Sequence, residues 1–452
     1  MKGRLIAGVD MGSAKICLAA GHAGRSGIDV AGAVSVPAHG LRKGVVVDIE
    51  EAAASIRLAV KEARTALGLD IKSAYVGISG GHITSQESAG AAGIKGKEVD
   101  RGDLERVLES ASALYVPLDR EILHVLPSEY TIDGQDGILR PLGMAGVRFE
   151  VKVLVLTASQ AALDNLERAL SRAGLRPIET VFQPVAGARA VLTREEREQG
   201  VLLIDMGGGT TDISLFKGGS LRWAGVIPVG GAHVTNDIAI GLKLPQDEAE
   251  RLKRLHGLGP QKQKQNLFET IETEQGGVEA RGINGKPQMV SHEELARIVR
   301  PRMEELFDLI KDGTQPWTTK YQPLCAVITG GASRMGQAAG MAERRLGLPV
   351  RAGQPGKVPP DCDSRGLLFP ESMRNPEFAA AAGLLLYGFG AEGGMKAASG
   401  GAKIPDKKSI EMAGEALFER GRALVKKVKI KMKSKGIGLE KIKVKNFGQK
   451  EG

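Results

Sequence analysis

The 452-residue chain is 42% hydrophobic and 25% charged, a globular composition with material for about two to four domains. Its net charge of +9 is uneven, because residues 396–452 hold 16 Lys+Arg against 6 Asp+Glu and the remainder is close to neutral. This argues against a nucleic-acid-binding body. Three scattered cysteines (Cys17, Cys325, Cys362) argue against a disulfide framework or cysteine metal centre, and no apolar run reaches the ~20 residues of a membrane span.

In chain order, Leu5–Val9, Ile16–Ala20, Val30–Pro37 and Val45–Val47 are β-like, and Ile49–Leu67 has helical periodicity with Asp48 placed to cap it. Ala74–Ser79 is another strand. Residues 83–160 change texture: Asp103–Ala113 predicts a helix, Glu121–Ile132 and Gly146–Leu156 predict strands, and together they make a small α+β insert. An α/β rhythm then resumes, with a helix at Gln160–Ala173, a strand at Arg176–Gln183 and a helix from Ala186. After the strand Val201–Ile204 come a hairpin, Ile213–Phe216 with Leu221–Pro228, and a helix at Ala232–Ile240. Residues 241–315 are polar and helix-rich, and Leu295, Ile298, Met303, Leu306, Phe307 and Ile310 recur near helical spacing in His292–Ile310. Cys325–Thr329 is an apolar strand, Pro349–Asp363 reads as loop, and Pro376–Leu386 is a helix of small residues. Residues 392–408 read as a flexible linker before a basic tail, 409–452.

The chemistry concentrates in two Asp-x-Gly loops, each following an apolar strand. The first is Asp10-Met11-Gly12-Ser13-Ala14-Lys15; the second is Asp205-Met206-Gly207-Gly208-Gly209-Thr210-Thr211-Asp212. Glycine lets main-chain N–H groups approach a phosphate closely, and an Asp at a strand end can hold Mg²⁺ through water or orient a water molecule. A third glycine loop, Ile328-Thr329-Gly330-Gly331-Ala332-Ser333, offers a flat main-chain surface for a base or ribose. The Walker A pattern is not met, since Gly285-Lys286 is followed by Pro287.

The order of acidic loop, insert, small-residue helix, acidic loop, Thr-Gly-Gly loop and small-residue helix resembles the actin, Hsp70 and hexokinase superfamily. Within it, residues 3–390 are similar to the bacterial FtsA cell-division family. The likeness lies in Ala7–Lys15, Ala74–Ile83, Gly200–Thr211, Ile227–Gly231, Ile328–Ser333 and Arg374–Ala379, and in the position of the insert. The resemblance implies an α/β, actin-like ATPase fold: two ribonuclease-H-like domains around a nucleotide cleft, an FtsA-type α+β insert and a C-terminal amphipathic helix. On that likeness 1–82 begins subdomain IA, 83–160 is the insert, 161–240 begins IIA, 241–315 is a helical lid (IIB), 316–365 completes IIA and 366–391 returns to IA. It further implies ATP and Mg²⁺ as cofactors, with Gly12, Ser13 and Lys15 on the β- and γ-phosphates and Gly207, Gly208, Gly209 and Thr210 clamping them from the other domain. Asp10 and Asp205 would hold Mg²⁺ through water, Gln183 would orient an attacking water, and Gly330, Gly331 and Ala332 would line the adenosine. Such a protein is at most a weak ATPase, in which the nucleotide mainly holds two domains at one angle.

Ser409–Lys435 reads as a basic amphipathic helix. Leu417, Phe418, Leu424, Val425 and Val428 supply an apolar face and Lys426 and Lys427 begin a lysine run, a pattern suited to an anionic membrane surface. Residues 437–447 alternate Lys with apolar residues, and only Phe447 interleaves these lysines with an aromatic, which disfavours nucleic acid. The family likeness implies a peripheral protein on the cytoplasmic face of the inner membrane that polymerises with itself and binds the C-terminal peptide of FtsZ through the lid. Arg297, Arg300 and Arg302 are candidate contacts there, and the insert would serve self-association and later division proteins. The alternatives are a sugar kinase or Hsp70-like ATPase, or an FtsA-like adaptor of a pilus or envelope machine.

Overall fold

One strand-and-turn unit is used twice. In the first half Arg4–Met11 pairs antiparallel with Lys15–Gly24, and that strand with Gly27–Pro37; Ser73–Ile78 and then Arg176–Phe182 add in parallel on the other side of Arg4–Met11. In the second half Val201–Met206, Thr211–Lys217 and Ser220–Ile227 form the antiparallel part, and Cys325–Thr329 and Val350–Ala352 add in parallel. Each is a five-stranded sheet with its first strand in the middle. The central strands are buried along nearly their whole length, which is why they read as continuous apolar runs rather than as alternation. This architecture comes from a computed structural model, which describes residues 3–24, 27–257, 277–356 and 369–392. The tail helix, its membrane candidates (Leu417, Phe418, Leu424, Val425, Lys426, Lys427, Val428) and the linker beyond 392 lie outside the described residues.

Helices cover both sheets. The helix Ile49–Leu67 starts where its cap predicts: Asp48 accepts a hydrogen bond from the Glu51 N–H at 3.0 Å, and Gly68 closes the other end in the left-handed conformation. Its buried face is Ala52, Ile56, Ala59 and Ala63, small residues that let it lie close to the sheet. The helices Gln183–Val191 and Ala379–Glu392 cross behind the first sheet. There a Cβ on Gly383 would stand 2.1 Å from the Ala186 carbonyl oxygen, so the two main chains touch.

The insert holds more strand than its sequence predicts. Thr84–Gly93, Arg148–Ser159, Arg120–Ile132 and Gln135–Ile138 form a four-stranded sheet under the helix Arg101–Ser112. Thr84–Gly93 is made of small and polar residues and lacks apolar alternation, so its strand character comes from pairing, Thr84 with Thr157 through to Gly93 with Arg148. Gly90 lets the helix rest on it, since a Cβ there would meet the Ala111 N at 2.3 Å. The insert also touches the second domain: Ser85 Oγ donates to the Ala224 carbonyl at 2.8 Å, and Glu87 accepts from Lys320 Nζ at 2.9 Å and Tyr321 OH at 2.7 Å.

Three further expectations change. The helix predicted over His292–Ile310 continues to Tyr321 through Gly313 and Pro316, because Thr314 is buried and Trp317 stacks on Trp223 at 5.9 Å. The loop predicted from Pro349 contains the strand Val350–Ala352, held by pairing with Ala326–Ile328. The helix predicted from Pro376 begins at Ala379 after one 3-10 turn.

Candidate nucleotide cleft

The two acidic loops occupy equivalent places in the repeated unit. Asp10 pairs across its hairpin with Cys17, and Asp205 pairs with Asp212. Both loops are shaped by glycine: a Cβ on Gly12 would lie 2.6 Å from the Lys15 carbonyl oxygen, and Gly207 N–H donates to the Thr210 carbonyl at 2.9 Å to close the second turn.

The fold brings these loops tip to tip. A Cβ on Gly208 would meet the Ala14 Cβ at 2.6 Å and one on Gly209 would meet Ser13 Oγ at 2.9 Å. Ser13 Oγ also accepts from the Gly44 N–H at 2.8 Å. Behind the loops Ser79, at the end of the Ser73–Ile78 strand, donates to Asp212 Oδ2 at 2.6 Å and so joins the two domains. The third loop is part of the same place. Gly330 has φ +85°, and a Cβ on it would sit 2.2 Å from Asp205 Oδ1, so glycine is required there. Gly330 N–H donates to the Pro376 carbonyl at 3.3 Å, and Ala332 faces Gly231.

Burial dominates the electrostatics. Asp10 is pushed up to about 7 by burial and by the Asp205 charge, against the pull of Lys15. Burial raises Asp205 to about 6, again against Lys15, and raises Asp212 to about 8 with help from Asp205. Gln183 opens its helix almost fully buried, and its Nε2 donates to Asp10 Oδ1 at 2.6 Å and to the Gly77 carbonyl at 3.4 Å. Buried carboxylates crowded together attract a cation, and glycine-walled loops with a lysine suit a polyphosphate, so these residues fit a nucleotide with a divalent ion. Among the described residues no three His, Cys, Asp or Glu side chains are arranged to bind a metal directly.

The remaining candidates are placed as follows. Lys15 is ion-paired with Glu377. Arg302 binds Asp237 at 2.6 and 3.1 Å and also pairs with Glu305. Arg297 pairs with Glu293 at 2.5 Å on the surface, and Arg300 is exposed on the same helix. Sequence reasoning overlooked Ser79, Asp212, Glu377, Glu250 and Lys253 as site residues. Lys253 is buried and donates to the Gly231 carbonyl at 3.1 Å, Thr235 Oγ1 at 2.9 Å and Glu250 Oε2 at 2.6 Å. It therefore ties the helix Gln246–Leu255 to the Gly230-Gly231 turn, whose Gly231 N–H donates to the Gly207 carbonyl at 2.9 Å. Asp212 had a visible signal, a charge inside a buried apolar strand; the others are joined to the cleft only by the fold.

Two family models match: one described as "Cell division protein FtsA" over residues 202–383, the other as "SHS2 domain inserted in FTSA" over residues 80–157. The chain is 39% identical over 398 residues to the cell division protein FtsA of Pseudomonas aeruginosa, covering 85% of this chain and 89% of that one. It belongs to the FtsA family of cell division proteins. The Escherichia coli FtsA is 33% identical over 395 residues, 85% of this chain and 90% of that one. The structure of a PilM-PilN type IV pilus biogenesis complex is similar in fold, with a TM-score of 0.59 at 20% identity, covering 85% of this chain and 98% of that chain. The architecture is thus the actin-like α/β fold with the FtsA insert, and the FtsA relatives make this an actin-like cell division protein rather than a kinase, chaperone or pilus adaptor. Among the described residues of this FtsA protein no helix is long and apolar enough to cross a membrane.

Proposed function

We propose that this FtsA protein binds ATP with Mg²⁺ between its two domains, assembles with itself on the cytoplasmic face of the inner membrane, and tethers FtsZ filaments there through the tail 409–452. The observation that carries the reading is the meeting of Ser13 and Ala14 with Gly208 and Gly209 over the buried Asp10 and Asp212 and the half-buried Asp205. In this reading Gly12, Ser13 and Lys15 hold the β- and γ-phosphates from one side and Gly207–Thr210 from the other. Asp10 and Asp205 hold the ion's water shell, Gly330, Gly331 and Ala332 line the adenosine, and Lys253 with Glu250 braces its edge. A bound nucleotide with Mg²⁺ would place the metal's positive charge toward Asp10 and Asp205, while the two glycine loops would hold its phosphates from both domains. Gln183 is committed to Asp10 and the Gly77 carbonyl, which suits a positioning role and slow turnover better than an efficient hydrolase.

Full-length protein should co-sediment with anionic liposomes and form ATP-dependent assemblies, and Asp205→Ala should keep vesicle binding while losing the ATP dependence. A chain truncated before Gly414 should fall to background co-sedimentation; equal sedimentation with and without 414–452 would sink the tether.

The lid arginines separate by their partners. Arg300→Glu should weaken binding of an acidic FtsZ C-terminal peptide about tenfold at unchanged stability, because the side chain is exposed. Arg302→Ala should instead lower stability by about 1 kcal/mol, since it leaves the half-buried Asp237 without its guanidinium. Peptide titration and a denaturation midpoint on the same two variants check the contrast, and equal peptide affinity for wild type and Arg300→Glu would remove that residue from the site.

A further inference from the structure

The lysine after the first loop already has a partner within the protein. Lys15 Nζ is ion-paired with Glu377 and lies 5.8 Å from the centre of the Phe378 ring. Glu377 is faced by three cations. Burial alone would raise its pKa, but Lys15, Arg334 and Arg254 outweigh burial and hold it below the ordinary carboxylate range. Arg334 stands 3.4 Å away. The turn that carries Glu377 is tied into the cleft by its main chain: the Pro376 carbonyl accepts from Gly330 N–H and from Thr329 Oγ1, each at 3.3 Å, and the Glu377 carbonyl accepts from Cys17 Sγ at 3.8 Å. The turn runs straight into Ala379–Glu392, the last described helix before the linker and tail.

We propose that Glu377 is a built-in competitor for the phosphate chain: it occupies Lys15 while the cleft holds no nucleotide and releases it to a nucleoside triphosphate. The proposal rests on the nucleotide reading above. Three features support it. First, a carboxylate and a terminal phosphate present the same kind of charge to one ammonium, so Lys15 cannot serve both at full strength. Second, the exchange leaves no buried charge alone, because Arg334 remains beside Glu377 after Lys15 turns away. Third, the pair is partly solvated, with side chains 24% and 18% exposed, so it biases the equilibrium without locking it. Glu377 is then a positioning residue, and its release reports the state of the cleft to the helix that leads toward the tail.

The test uses the full-length protein and compares ATP with adenosine. Glu377→Gln keeps the shape and removes the charge, so it should tighten ATP binding about tenfold while adenosine affinity stays unchanged. In a Lys15→Gln background the same substitution should have no effect on ATP. Should Glu377→Gln weaken ATP binding or leave it unchanged while wild type binds ATP, Glu377 is a support for Lys15 and the competitor is overturned. Should wild type itself fail to bind ATP, the nucleotide reading fails first. A readout independent of variant folding is amide exchange in wild type over residues 375–387, which should change on adding ATP and not on adding adenosine; an identical response to the two ligands would overturn the proposal.

Discussion

Gly383→Ala should be among the most damaging single-methyl changes in this protein, at about 3 kcal/mol of stability, near the top of what overpacking a tight contact costs. The added Cβ would lie 2.1 Å from the Ala186 carbonyl oxygen, 2.3 Å from its carbon and 2.7 Å from Gly187 N. These are main-chain atoms of a buried helix and cannot swing aside. Nor can the Ala379–Glu392 helix retreat on its other face, where Gly8 already brings a strand against Leu384 and Gly77 meets the same side chain. The crossing has a functional side as well, since the helix being pushed begins at Gln183, the hydrogen-bond partner of Asp10. Gly313→Ala is the control. It lies in the helix His292–Tyr321 with nothing within 4 Å of the new Cβ, so it should raise stability by about 0.5–1 kcal/mol through helix propensity. Denaturant midpoints of the two variants measure the contrast, and a Gly383→Ala midpoint equal to wild type would refute the close crossing.

The nucleotide-free protein should lose stability as pH rises from about 4 to about 8, the reverse of the usual carboxylate behaviour. Asp10, Asp205 and Asp212 sit at about 7, 6 and 8 when folded, against an ordinary 3.8. Folding therefore favours their protonated forms: the stabilisation is complete below the unfolded value and disappears as pH climbs through the folded values. Asp212→Asn isolates the largest shift. The amide oxygen still accepts from Ser79, but the charge is gone, so the variant should match wild type below about pH 3.5 and exceed it by about 2 kcal/mol at pH 8.5. ATP with Mg²⁺ should flatten the wild-type dependence, because opposite charge then faces the carboxylates. Thermal or denaturant unfolding across pH reads all of this, and a wild-type curve that rises from pH 5 to 8 would contradict the buried-acid picture.

Much of the architecture was legible because it is local. Asp48 and Gly68 bracket a helix by capping chemistry that depends on neighbours a few residues away, and the helix Gln160–Ala173 matches its predicted bounds. The strand-loop-strand units around Asp10 and Asp205 were readable from apolar runs and glycine turns. Thr84–Gly93 escaped because a strand of Ser, Ala and Gly carries no apolar alternation, and only its partner Arg148–Ser159 and the helix over Gly90 make it one. The extension of His292–Ile310 to Tyr321 escaped because Gly313 and Pro316 signal an end that buried Thr314 and the stacked Trp317 override.

Sequence alone determined the capped helix Ile49–Leu67, the buried central strands and that two acidic loops share one design, since backbone sterics and hydrophobic period are properties of adjacent residues. Only the tertiary structure decided what those loops face. Ser79 reaches Asp212 across 133 positions and Lys15 reaches Glu377 across 362. A charge takes the partner that burial leaves nearest to it, and that choice is made by packing distant segments together.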